Sequence, residues 1–145
     1  MILCLDTSCL VKLYVEEDDS SLVSDQIERA EAVFSSVLAY PEMRGAFRRR
    51  RAEGSISGAS HLRVLKRFDK DWAAMSRISV TDSIAEEAGD LAEIHALRGM
   101  DAIHLATALM VRREAGASRD RVRFLTADTK LAQAARKEKF LLLRD

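Results

Sequence analysis

Proline occurs once and glycine six times in 145 residues, too little of either for a collagen-like or linker-rich chain. There are two cysteines, Cys4 and Cys9, with no Cys or His pair spaced for zinc nearby. They read as reduced core thiols of a cytoplasmic protein, not as a disulfide framework. No apolar run approaches the roughly 18 residues of a membrane span. The opening Met1-Ile-Leu-Cys-Leu-Asp6 has no basic stretch and soon reaches a charge, unlike a secretory signal. An excess of one charge is also missing, since 23 Lys and Arg face 23 Asp and Glu. A protein that held nucleic acid by bulk electrostatics would be basic, so any such contact here must be local. The phosphate-binding P-loop is absent. Three scattered histidines, His61, His95 and His104, offer no pair for metal-free acid–base cleavage of RNA.

What remains is 48% hydrophobic and 32% charged, and long enough to bury a core as one domain over residues 1–145. Short apolar runs alternate with amphipathic ones. Ile2–Leu5, Ala32–Ser35, Ile78–Val80, Arg121–Thr126 and Phe140–Leu143 read as five strands. The intervening stretches carry apolar residues at helical spacing, for instance Leu62, Leu65, Phe68, Trp72 and Met75. Pro41 predicts that the helix carrying Glu42 begins near residue 40 or opens with a distorted turn. Short strands separated by helices predict an α/β fold with a parallel sheet and right-handed crossovers.

Acids recur at the ends of these elements. Asp6 follows the first strand, Asp128 follows the fourth, Asp101 is placed to cap a helix, and Glu42 lies on the helix after the second strand. Open parallel sheets keep their ligand crevice beyond the carboxyl ends of the strands, which is where Asp6 and Asp128 point. Capping is the ordinary reason for an Asp at such a position, and a surface ion pair the ordinary reason for a helical Glu. The joint placement argues for more. Carboxylates crowded in one cleft repel unless a cation neutralises them, and an all-oxygen set suits Mg²⁺ or Mn²⁺. Such an ion can deliver hydroxide and steady an in-line phosphoryl displacement, so phosphodiester cleavage is the expected use.

Four segments carry a resemblance. They are Ile2-Leu-Cys-Leu-Asp-Thr-Ser8, Ser35-Ser-Val-Leu-Ala-Tyr-Pro-Glu42, Arg98-Gly-Met-Asp-Ala-Ile-His-Leu-Ala106 and Phe124-Leu-Thr-Ala-Asp-Thr-Lys-Leu131. In this order and at these separations the chain resembles the PIN-domain ribonucleases, and within them the VapC-type toxins of bacterial toxin–antitoxin pairs. The resemblance implies a PIN-like fold, with a five-stranded parallel sheet of order 3-2-1-4-5 flanked by helices. It implies a Mg²⁺- or Mn²⁺-dependent endoribonuclease restrained by a cognate antitoxin, and a homodimer is expected. Asp6, Glu42 and Asp101 match the family's core acidic positions, and Asp128 the more variable fourth. All four are the expected metal-holding and catalytic residues. Thr7 and Ser8 match the small hydroxyl residues that follow the first acid and orient it, and Thr126 matches a polar position beside the site. Pro41 departs from the pattern, because an ordinary helix former usually precedes the glutamate.

Arg44, Arg48 and Arg51 fall on one stripe of the Glu42 helix and are candidates, with Arg98, for RNA phosphate contacts. A solvated helix face accounts for the stripe equally well. His104, one turn from Asp101, is expected to be a hydrogen-bonded packing residue, because an imidazole among carboxylates would favour softer metals. Two other classes compete: a DNA- or structure-directed PIN-like nuclease, and a non-catalytic RNA- or protein-binding PIN module. The short chain leaves little for DNA-clamping elements, and a binding module has no need of four acids. A dehalogenase-type phosphatase would carry an acid where Ser8 stands, and a receiver domain's acidic pair is not apparent.

Overall fold

The computed structural model describes residues 1–145, the side chain of Ala117 excepted. The first apolar run forms β1 (Ile2–Leu5), which pairs in parallel with β2 (Ala32–Ser36) on one side and β4 (Val122–Leu125) on the other. β3 (Ser76–Ile78) pairs outside β2, giving the order β3-β2-β1-β4. A strand flanked on both sides and covered on both faces alternates its side chains between two apolar layers. Leu3 and Leu5 enter a layer with Phe47 and Phe68, while Cys4 enters the opposite one with Leu105 and Phe124. Both cysteines are buried and free, and burial pushes the Cys4 thiol up to about 12, so neither is a ready nucleophile.

Four helices cover the Leu3 face: α1 (Thr7–Leu10), α2 (Ser20–Glu28), α3 (Ala39–Ala52) and α4 (Gly58–Ala74). The other face takes α5 (Asp82–His95), α6 (Gly99–Glu114) and α7 (Thr129–Lys137). α6 is buried almost all round, which explains why its Ala102–Leu109 stretch is apolar but for His104 and Thr107. In α4, Phe68 and Trp72 enter the core as their spacing predicts, whereas Leu62 is 60% exposed. Pro41 distorts nothing. α3 starts at Ala39, so the proline falls in the first turn, where its missing amide has no partner to lose.

The expected fifth strand is the one topological correction. Phe140–Leu143 is reduced to a single parallel bridge between Arg123 and Leu141. Lys139 turns the chain at φ 65°, and the Leu142 amide donates to Asp145 Oδ2 at 2.9 Å instead of to a ladder. Arg136 holds the same carboxylate at 2.6 Å, so a C-terminal turn replaces the strand. β3 lies two residues earlier than its apolar pattern suggests, because Ser76–Ile78 registers with Phe34–Ser36. The chain steps outward from β1 to β3 and then crosses back to β4. The sheet's switch point therefore lies between β1 and β4, with a crevice at their carboxyl ends.

Candidate active site

Asp6 leaves β1 into that crevice and is 4% exposed. Its carboxylate caps α1 by accepting from the Cys9 amide at 3.1 Å. Ser8 Oγ donates to it at 2.7 Å and Thr126 Oγ1 at 2.7 Å. Each hydroxyl also accepts a backbone amide from the turn after β4: Ser8 from Ala127 at 2.8 Å, Thr126 from Asp128 at 3.0 Å. With their lone pairs drawn to amides, the hydroxyl protons are directed to Asp6. Ser8 and Thr126, two of the three residues matched as site-orienting, thus tie the first acid to the turn that carries the fourth. Burial nonetheless raises the Asp6 carboxyl above the ordinary range, outweighing the nearby His104 and these hydrogen bonds.

Glu42, on the first turn of α3, is half-buried. Its Oε1 accepts from Thr7 Oγ1 at 3.0 Å and from His104 Nε2 at 2.6 Å. A carboxylate only accepts, so the Nε2 proton is fixed by this contact, while the buried Nδ1 has no partner among the described residues. Burial works to raise Glu42, but His104, Thr7 and Arg49 together bring it below its usual value. His104 is the hydrogen-bonded packing residue its position predicts, and its partner is one of the four acids.

Asp101 is not a helix cap, contrary to the expectation from sequence. α6 begins at Gly99 with Arg98 as N-cap, and Asp101 is the third helical residue, its Oδ2 accepting from Arg98 Nε at 3.1 Å. Asp128 does cap a helix, accepting from the Leu131 amide at 2.7 Å at the start of α7. All four acids line one cleft of about 210 Å³. Glu42 Oε2, Asp101 Oδ1 and Asp128 Oδ2 make no hydrogen bond to a described residue, so three of the acids each retain an unused donor oxygen. No three His, Cys, Asp or Glu side chains among the described residues already surround one ion position. The donor set is nevertheless all oxygen, anionic and partly desolvated, which fits a hard divalent cation.

The arginine stripe is placed elsewhere. At about 100° per residue, Arg44, Arg48 and Arg51 lie roughly 200°, 240° and 180° around α3 from Glu42, away from the cleft. Arg44 instead meets Asp69 at 3.1 Å and Tyr40 at 3.2 Å. The cleft is lined by Arg49 and Arg50, about 20° and 80° from Glu42, together with Arg98. Counting helical phase from Glu42 would have found both. Arg50 is ion-paired with Glu17, its Nε donating at 2.8 Å.

An α/β protein with an acidic cleft at the switch point of its sheet is the class that this architecture defines. The chain belongs to the PIN domain family, whose model matches residues 3–137. It is 39% identical over 106 residues to Ribonuclease VapC45 of Mycobacterium tuberculosis strain CDC 1551 / Oshkosh, covering 73% of this chain and 74% of that protein. Ribonuclease VapC49 of strain H37Rv matches equally. Among solved structures, FitAcB from Neisseria gonorrhoeae aligns with a TM-score of 0.65 at 17% identity, over 98% of this chain and 96% of that one. A toxin–antitoxin complex from Klebsiella pneumoniae aligns at 0.63 and 21% identity, over 90% and 88%. These structural likenesses extend the agreement in fold to nearly the whole chain.

Proposed function

We propose that this chain is a divalent-metal-dependent endoribonuclease and the toxin of a VapBC-type toxin–antitoxin pair, acting as one domain over residues 1–145 and as a homodimer in the cytoplasm. The observation that carries the reading is the meeting of Asp6, Glu42, Asp101 and Asp128 in one cleft from four separated segments. Family membership and 39% identity to ribonucleases support RNA as substrate. Among the described residues no helix is long and apolar enough to cross a membrane.

The four acids would hold Mg²⁺ or Mn²⁺, which when bound supplies an acidified water and offsets charge on the phosphate. The chain's own part is preorganisation. Ser8 and Thr126 fix Asp6, so its orientation costs little when substrate arrives. His104 and Thr7 hold Oε1 of Glu42 and leave Oε2 without a hydrogen bond to a described residue, free for a ligand. Arg98, 84% exposed, pairs with Asp101 and lies within reach of a substrate phosphate. A cleft this acidic suits an antitoxin that inserts Arg or Lys among the carboxylates in the cation's place.

Two outcomes are expected. Chelation with EDTA should bring RNA cleavage to background, and Mg²⁺ or Mn²⁺ should restore it; full activity in chelator would overturn the metal requirement. Expression of the soluble chain alone should arrest growth, and co-expression of the neighbouring gene product should relieve the arrest. Normal growth under strong expression would remove the toxin role.

A further inference from the structure

Of the three arginines lining the cleft, two are already engaged. Arg50 is held by Glu17, and Arg98 by Asp101. The Arg49 guanidinium has no ion-pair or hydrogen-bond partner among the described residues, yet it lies close enough to Glu42 for its charge to be felt there. It reaches the cleft by folding back along α3. A Cβ built on Gly45, one turn earlier, would stand 3.3 Å from Arg49 Nη1, so the guanidinium occupies the space a side chain at 45 would claim. Glycine is a poor choice inside a 14-residue helix, and its φ here is not in the left-handed region that would require it. Its absent side chain is what leaves the guanidinium room.

We infer that Arg49 receives a phosphate of the RNA backbone at the mouth of the acidic cleft, and that Gly45 is the berth holding it there. The inference rests on the RNA-cleaving reading above. A phosphate entering a cleft of four carboxylates needs a local cation that is not already neutralised, and a guanidinium binds phosphate oxygens in a bidentate fork. Arg49 supplies this on a chain whose net charge is zero. It lies on the Glu42 side of α3, so a phosphate bound there sits beside the acids rather than on the outer face of the helix.

The test is binding of a mixed-sequence 20-nucleotide RNA in EDTA, read by fluorescence anisotropy between 50 and 200 mM KCl, with a thermal melt of each variant. Arg49→Gln should weaken binding roughly fivefold at low salt and lower the log K against log salt slope by about 0.7, as expected for one lost phosphate contact on a single strand. Its melt should stay within about 3 °C of wild type, since an exposed unpaired side chain is removed. Arg50→Gln should do the reverse, lowering the melt by removing one of the two cations on half-buried Glu17, with Lys12 left at 3.4 Å, while largely keeping the salt slope. Gly45→Leu should weaken RNA binding as Arg49→Gln does, and should add nothing when combined with it. With Mn²⁺ present, Arg49→Gln should raise KM more than it lowers kcat.

Wild-type affinity and slope in Arg49→Gln would overturn the assignment, as would an equal slope loss in Arg50→Gln. A Gly45→Leu effect that persists in the Arg49→Gln background would overturn the berth. A wild-type chain that neither binds nor cuts RNA would overturn the ribonuclease reading and this inference with it. That result is distinct from one in which wild type is active and Arg49→Gln is its equal.

Discussion

Asp101→Asn is expected to lower RNA cleavage by about a hundredfold or more while leaving the thermal melt nearly unmoved. Loss of a group that merely orients a metal ligand costs roughly 10- to 100-fold, so a direct anionic ligand should reach the upper end of that range. Asparagine retains the shape and one acceptor oxygen but not the charge a hard cation prefers. The stability cost is small because Asp101 caps nothing. As the third residue of α6 it gives up a helix-dipole interaction of about 0.3–1 kcal/mol. Its pair with Arg98 is exposed on the arginine side and belongs to the class worth roughly 0–1 kcal/mol. An N-cap aspartate would make alanine a confounded replacement; at this position Asp101→Ala serves as a second test. The assay is cleavage at saturating Mn²⁺ beside a melt. Normal cleavage by a folded variant would remove Asp101 from the site.

Asp6→Asn should abolish cleavage to a similar extent and, in metal-free buffer near neutral pH, raise the melting temperature. Burial raises the Asp6 carboxyl, so the charged form is the one the native state disfavours. A raised folded pKa contributes stability that is full below the unfolded pKa and is lost as pH rises through the folded one. Wild type should therefore fall behind the variant as pH climbs from acid towards neutral, and the two should converge where Asp6 is protonated in both folded and unfolded chains. Asparagine preserves an acceptor for the Cys9 amide and for Ser8. Saturating Mn²⁺ should restore the wild type, by about 2.7 kcal/mol at a hundred times its Kd, and leave the variant unmoved. Scanning fluorimetry from pH 4.5 to 8, with and without Mn²⁺, decides it. A variant that melts below wild type throughout in EDTA would mean that the hydrogen-bonded carboxylate is net stabilising.

Where residue type and position in an element suffice, the sequence announces the outcome. The apolar Ile2–Leu5 run reads as a strand covered on both faces and is one, and the acids after β1 and β4 line the crevice. Ser8 and Thr126 hydrogen-bond Asp6, whereas Thr7, expected to orient Asp6 as well, donates to Glu42 instead. What failed depended on distant partners or on phase. Phe140–Leu143 has the composition of a strand, but the Asp145 carboxylate, itself held by Arg136, takes the Leu142 amide into a turn. Arg44, Arg48 and Arg51 form a genuine stripe whose orientation is set by where Glu42 points, a quantity their own spacing does not contain. Asp101 looked like a cap because pattern alone places a helix start only to within a few residues, and Arg98, three positions earlier, took that place.

The hydroxyl bridge from Thr126 to Asp6 joins residues 120 positions apart, and β4 must dock on β1 before it can form. During translation the emerging chain makes Asp6 first, Glu42 and Asp101 later, and the Thr126–Asp128 turn last of the four. Until then Asp6 lacks one of its two hydroxyl donors, and the fourth acid does not yet exist. Pairing across such a sequence separation is also slow to form. A chain cut short before Thr126 therefore lacks both a hydroxyl that holds Asp6 and the fourth acid of the cleft. On the RNA-cleaving reading, the sheet topology itself withholds the assembled cleft until β4 has been made and has docked on β1.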